Sequence, residues 1–340
     1  MTTRRTFLAG GLAAAVATTL AACSSDLPTT PKETGTPAAQ PALDSDRLTT
    51  VLGRVQKGLD AADKAKDAKK LNGYLTGPAE RVRGEEYTLA TKSKDDSHVH
   101  AFDTTSQAGA VGLTSGFPRT ALTITEGTKD DSVPYLLALT QDSARDDFEL
   151  WGWARLYAGV EVPATSNASV GSAQVDADTT GFIKTPAEVL AAYVDALNNP
   201  DGSNGKSFAD DPIRQRVAAE RAVDLGGMGK VTVRATAGKD GFKGLATTDD
   251  GAIVMTTLSF NTEYRNTVAG STIDLGEPVS FLMGDDKSVK GTVTAHYDAM
   301  VAFSIPVKGS KDKPVVLGGE LVLAKVDRDD SKAPKDDSDN

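Results

Sequence analysis

The chain has 340 residues, a formal net charge of −10, one cysteine and three histidines. The acidic balance excludes the clustered Lys and Arg on which nucleic-acid binding relies, so no nucleic-acid partner is expected. It also gives no reason for adhesion to anionic lipid surfaces. In chain order, the first predicted element is an export signal over residues 1–22. Thr3-Arg4-Arg5-Thr6-Phe7-Leu8 sets an arginine pair before a large apolar residue, and an uncharged, alanine-rich stretch runs from Phe7 to Ala22. That stretch is short for a bilayer span of ~20 residues and suits a signal-peptide core.

The stretch ends in Leu20-Ala21-Ala22-Cys23, which resembles the lipobox of bacterial lipoproteins. There the cysteine sulfur receives a diacylglycerol before the peptide is cut just ahead of it. Arg4 and Arg5 resemble the export signal of the twin-arginine route. The resemblance implies lipidation at Cys23 and a membrane partner reached through the lipid anchor, with the folded part on the extracytoplasmic face of the cell membrane. Each buried methylene contributes ~0.8 kcal/mol, so two acyl chains give stable attachment. With Cys23 lipidated, no thiol is left for a disulfide, a zinc–thiolate site or a cysteine nucleophile.

Residues 23–44 are Ser, Thr, Pro, Ala and Gly with few large apolar side chains. They read as a flexible tether, because they cannot bury enough surface to offset their ordering entropy. A first α+β domain is expected over residues 45–163. Leu48, Val51, Leu52, Val55 and Leu59 recur at helical spacing, with Asp46 as the expected N-cap. Pro78 starts a second short helix through Val82. Beyond Glu85 the pattern turns strand-like, with strands expected at Tyr87–Thr91, His98–Phe102, Thr120–Thr125, Val133–Thr140 and Phe148–Val162.

Residues 164–180 read as a linker, and a second α+β domain is expected over residues 181–327. Thr185-Pro186-Ala187-Glu188 is a capping box with Pro at the first helical position. Asp211-Pro212 opens another helix, and strands are expected at Lys230–Ala237, Ala252–Tyr264, Pro278–Met283, Ser288–Phe303 and Pro314–Val326. Residues 328–340 read as an acidic disordered tail. Both halves run helix, loop, Pro-started helix and about five strands, which reads as an internal duplication. Helices followed by strands indicate α+β rather than α/β, here two tandem domains, each with N-terminal helices packed on a curved antiparallel sheet. This layout resembles the nuclear-transport-factor-2-like cone or the cystatin-like fold, and the whole chain resembles an uncharacterised family of actinobacterial lipoproteins. Such a fold does not imply a function.

Few residues point to chemistry. Gly202-Ser203-Asn204-Gly205-Lys206-Ser207 lacks the four residues that a phosphate loop needs between its glycines, and it joins two helices rather than following a strand. A polar turn is the reading. His98 and His100, with Asp95 and Asp96 nearby, would share one strand face, but nothing fixes a third ligand, so no metal site and no cofactor is expected. Repeated Asp-Asp pairs lack EF-hand spacing and read as turns. His296 and Asp298 would also share a strand face and are the weak catalytic candidates, a general acid and base for an enzyme with a cone-type pocket. Trp151 and Trp153 alternate with Gly152, and Arg155 and Tyr157 continue their face. That face is either core or a patch for an apolar ligand.

The expected function is therefore a non-catalytic envelope lipoprotein that binds a small apolar ligand or another envelope protein; an enzyme using His296 and Asp298 is the alternative. Cys23→Ala is expected to abolish membrane retention, measured as loss of lipid label and release of the chain from the membrane fraction.

Overall fold

Asp44, two residues before the expected cap, opens the first helix: its carboxylate accepts the Arg47 amide at 2.8 Å, and Asp46 lies in the first turn, where a carboxylate complements the helix dipole. The computed structural model describes residues 38–127 and 133–335. Arg4, Arg5 and Cys23 fall outside the described residues, as do the Asp pairs at 130–131 and 336–337.

In chain order the first half contains β1 (Gln40–Pro41), α1 (Ser45–Ala65), α2 (Gly77–Ser93), β2 (Ser106–Thr114), β3 (Arg119–Thr125), β4 (Tyr135–Gln141) and β5 (Glu149–Leu156). The expected linker contains a strand, β6 (Ser172–Val175). The second half contains α3 (Pro186–Asn198), α4 (Pro212–Arg221), β7 (Gly229–Ala237), β8 (Lys243–Ala246), β9 (Ala252–Asn266) and β10 (Ile273–Asp274). It continues with α5 (Val279–Leu282), β11 (Ser288–Val289), β12 (Thr292–Ile305) and β13 (Val315–Asp329). The class is α+β. No helix among the described residues is long and apolar enough to cross a membrane.

Each half places two helices before an antiparallel meander, β2-β3-β4-β5 in one and β7-β9-β12-β13 in the other. The last strands of the two meanders pair with each other, Leu156 with Gly318 and Arg155 with Gly319. The strands of both halves thus join one sheet, and the chain from Ala38 onward forms one compact unit. The sheet also closes on itself. β8 continues it from β9 to β6, and β6 pairs in parallel with β2 through Gly112–Ser172 and Leu113–Ala173. Closure removes open edges from the strands in the ring.

Three apolar clusters follow from this plan. Leu52, Val55 and Leu59 of α1 and Val82 and Tyr87 of α2 pack on the outer face of the first meander. Val189, Leu190 and Tyr193 of α3 and Val217 of α4 pack on the second. Leu122, Leu136, Ala154, Leu245, Met255 and Leu317 come from six strands and fill the inside of the ring, where β8 lies against β3 and β4.

Several expected elements differ in the structure. Residues Tyr87–Thr91 continue α2 instead of forming a strand. The inward face of α2 carries Arg83 and Glu86, both buried, and these charges interrupt the apolar period that would otherwise announce a helix. Residues 98–102 form no strand either, since His98 ends a 3-10 turn. The segment Pro278–Met283 contains the short helix α5 instead of a strand. The chain stays ordered beyond Asp327: Arg328 donates to Asp286 and to the Ser288 carbonyl, and the Asp330 carboxylate accepts the Lys290 and Gly291 amides.

The aromatic face of β5 is also corrected. Ala138 pairs with Gly152 and Leu139 with Leu150, so Trp151 is the extra residue of a β-bulge. The bulge reverses the alternation. Trp153 packs with Leu150 under α1 and α2, and Trp151 packs with Ala154 and Leu156 inside the ring. Both are buried, while Arg155 is exposed and Tyr157 half-buried.

The seam between the meanders is too close for a side chain. A Cβ on Gly318 would lie 2.3 Å from the Arg155 carbonyl oxygen. By contrast, a Cβ on Gly53 in the middle of α1 meets nothing within 4 Å. Gly318→Ala is expected to destabilise the protein by ~1–3 kcal/mol through overpacking, and Gly53→Ala to stabilise it by ~0.5–1 kcal/mol through helix propensity. Urea midpoints of the two variants check both signs.

Candidate functional site

Arg83 and Glu86 lie one turn apart on α2, so both side chains leave the helix toward the sheet. Arg83 is fully buried. Its Nε and Nη2 donate to the two oxygens of Asp63 on α1, at 2.9 and 2.6 Å. Its Nη1 donates to Glu86 Oε2 and to the His100 carbonyl, each at 2.7 Å. Tyr87 donates its hydroxyl to Asp63 Oδ1 at 2.5 Å. The guanidinium also lies 5.7 Å from the Trp153 ring centre and 5.6 Å from that of Phe102, within cation–π range.

Glu320 reaches the same place from β13. Its Oε2 accepts from Trp153 Nε1 at 3.1 Å, and its Oε1 lies 2.7 Å from His100 Nδ1. Glu86 Oε1 lies 3.5 Å from the same nitrogen and has no hydrogen-bond partner. Burial pushes the Glu86 carboxyl up to about 7. The hydrogen bond to Glu320 raises the His100 imidazole to about 9. Two buried carboxylates and a half-exposed imidazole thus converge within 4.8 Å of one another.

This group stands beside the larger cleft, of about 1210 Å³. Residues within 97–101, the end of β5, the start of α4, residues 313–316 and Gly319, Glu320 and Leu321 of β13 line it. The lining is mainly apolar, from Val99, Leu156, Val160, Ile213, Pro314 and Val316. Charged side chains share the lining, among them Arg155, Glu161, Asp210, Asp211, Lys313 and Glu320. Asp211 caps α4 through the Ile213 and Arg214 amides and accepts the Tyr193 hydroxyl at 2.8 Å. Tyr157 presents a buried hydroxyl with no hydrogen-bond partner, and burial raises its pKa strongly. A smaller cleft of about 400 Å³ shares His100 with the larger one and is lined also by Glu86, His98, Phe281 and Tyr297.

The remaining sequence candidates separate. His296 and Asp298 do share a face of β12, but they form no acid–base pair. His296 Nε2 lies 3.0 Å from Asp327, and Asp298 accepts from Arg81 Nε at 2.7 Å. Arg81 also makes a bidentate contact with Asp240, at 2.8 and 2.9 Å. Neither His296 nor Asp298 lines either cleft. Of the aromatic face, Arg155 and Tyr157 line the larger cleft and the two tryptophans do not. His98 and His100 part: His98 stands edge-on to Phe281 at 6.3 Å, and His100 joins the carboxylates. Asp95 and Asp96 approach neither imidazole as ligands. Asp95 caps the 3-10 turn and Asp96 pairs with Lys66. The segment Gly202–Ser207 is the polar turn expected, with the Gly205 carbonyl accepting from Arg214.

Arg83, Glu86 and Glu320 were not legible as site residues from motifs. Glu320 had one available signal, a lone carboxylate inside the apolar run Val315–Ala324. A charge placed mid-strand among apolar residues needs a buried partner.

Comparison of the chain with protein-family models, curated proteins and solved structures gives no match.

Removing Arg83 would leave Asp63 and Glu86 without their shared cation. Arg83→Leu is expected to cost ~3–5 kcal/mol. Arg81 is more than one-third exposed, and Arg81→Ala is expected to cost about 1 kcal/mol or less. Chemical denaturation of the two variants measures the difference.

Proposed function

We propose that the chain is a lipid-anchored extracytoplasmic protein that acts without catalysis, binding a small, mainly apolar ligand in the cleft beside the β5–β13 seam. The observation that carries this reading is the cleft itself, whose exposed lining is mainly apolar and is interspersed with charged groups. Its size is close to the ~300–1,000 Å³ of small-molecule sites, which commonly pair apolar walls with a few placed polar groups. The Tyr157 ring lines the cleft with its hydroxyl buried, and the half-exposed His100 supplies a polar group at the edge.

The address rests on the N-terminal resemblance. Cys23 closes an uncharged signal core, and the polar residues after it provide a tether between membrane and fold. The matching order of helices and meander in the two halves supports an origin as tandem α+β domains, with the present sheet formed across both.

Val315 is exposed on the cleft wall, so a charge there changes the cleft without entering the core. The full chain is expected to bind the dye anilinonaphthalene sulfonate saturably, with one dominant site. Val315→Glu is expected to weaken that binding about tenfold, which corresponds to ~1.4 kcal/mol. Dye binding that is absent, or equal in the variant and the parent, would remove the cleft reading.

A further inference from the structure

The two carboxylates beside the cleft are held in an unusual way. Each has one oxygen taken by a fixed donor, and its other oxygen turned toward the same imidazole nitrogen. Arg83 holds Glu86 Oε2 at 2.7 Å, and Trp153 holds Glu320 Oε2 at 3.1 Å. The inner oxygens, Glu86 Oε1 and Glu320 Oε1, then stand 3.5 and 2.7 Å from His100 Nδ1. We propose that Glu86, His100 and Glu320 form a three-ligand site for a divalent metal ion of the zinc type, open toward the cleft.

Four observations support the assignment. The first is the unpaired oxygen. Glu86 is 1% exposed, and its Oε1 has no hydrogen-bond partner while aiming at His100. A buried carboxylate oxygen in that position costs free energy unless something cationic meets it.

The second is charge. Asp63, Glu86 and Glu320 bring three carboxylates to the neighbourhood of one guanidinium, Arg83. The local excess is two negative charges, which a divalent cation balances with the imidazole neutral. Without the ion, protons must supply the balance, as on the imidazole of His100.

The third is geometry. Ligand atoms around zinc at ~2.0–2.2 Å stand roughly 3.3 Å apart in a tetrahedron. The Glu86–His100 spacing already fits. The His100–Glu320 contact opens by about half an ångström as its hydrogen bond is replaced by coordination. His100 is 47% exposed, so its ring can make that adjustment.

The fourth is the outer shell. Metal-binding carboxylates are themselves commonly hydrogen-bonded, which orients them and tunes the ion. Arg83 and Trp153 occupy those positions, and Asp63 in turn fixes Arg83. Three protein ligands leave one tetrahedral position, and the exposed edge of His100 puts it beside the cleft. One imidazole with two carboxylates suits zinc or manganese better than the soft thiolate-seeking ions. The proposal does not rest on the ligand reading of the cleft, and neither fails with the other.

The test uses the full chain in detergent, stripped of metal with a chelator and dialysed. Zinc chloride is titrated by calorimetry, and bound metal is counted after gel filtration. One equivalent is expected. Glu86→Gln and His100→Ala are each expected to lose at least tenfold in affinity, and Trp153→Phe, which touches no ion, about tenfold as an outer-shell effect. Cys23 is present in every variant, so these differences report on this site alone. Glu86→Gln is nearly isosteric, and its far-ultraviolet dichroism should match the parent, which keeps the test independent of folding. Cobalt added in place of zinc should give a visible absorption band that Glu86→Gln weakens. Absence of a stoichiometric site, or equal zinc affinity in the parent and in both Glu86→Gln and His100→Ala, would overturn the proposal and leave a metal-free His100–Glu320 ion pair.

Discussion

A guanidinium cannot be taken wholly out of water unless its donors are met, and Arg83 is wholly out of water. The four hydrogen bonds it donates therefore dictate much of the first half. Asp63 must come from α1, Glu86 from the next turn of α2, and the carbonyl of His100 from the loop beyond. Meeting these donors fixes the spacing of the two helices and the path of residues 98–102. Beside it, Trp153 of β5 donates to Glu320 of β13. Much of the polar floor beside the cleft, Glu86 and the path of His100, follows from the satisfaction of one buried cation.

The second half solves a similar problem with different residues. Arg216 on α4 donates to Glu220 one turn later and to the Tyr297 hydroxyl, and Tyr264 donates to the other oxygen of the same carboxylate. There the carboxylate is fully satisfied by hydroxyls and a guanidinium. On α2, by contrast, Glu86 meets His100 and, from β13 of the second half, Glu320, and one of its oxygens stays without a hydrogen bond. The two helices share a place in the order of elements but not a chemistry, and the asymmetry singles out the cluster around Glu86 as more than a packing device. Buried ion pairs as such are weak evidence for stability, so a cluster left with an unsatisfied oxygen invites a functional explanation.

The sequence showed the helices wherever their inward faces were apolar. Leu48 to Leu59 and Val189 to Leu197 recur at the helical period, and both become helices. It failed where polar groups were buried. Arg83 and Glu86 sit among the inward positions of α2 and made its second half look like a strand. It also failed where strands are built from small residues. β2 reads Ser-Gln-Ala-Gly-Ala-Val-Gly-Leu-Thr and β6 only Ser-Ala-Gln-Val; such segments have low strand propensity and take their form from neighbours in the ring. The aromatic face was misread for a local reason. Simple alternation places Trp151 and Trp153 together, and a single bulged residue separates them. The candidate site itself joins residues 86, 100 and 320, and nothing in a linear reading brings a carboxylate from the end of one meander to a helix of the other half.

The seam between β5 and β13 has a consequence for how the chain reaches this state. It joins Leu156 to Gly318, residues distant in sequence, and the ring cannot be complete until the last strand has been synthesised. Contacts of such long span carry the largest loop-closure entropy and slow the search for the native state. A chain of this kind spends longer with strand edges uncovered, the condition in which folding intermediates aggregate. One seam between distant residues thus sets both the last step of closure and the time for which the sheet stays open.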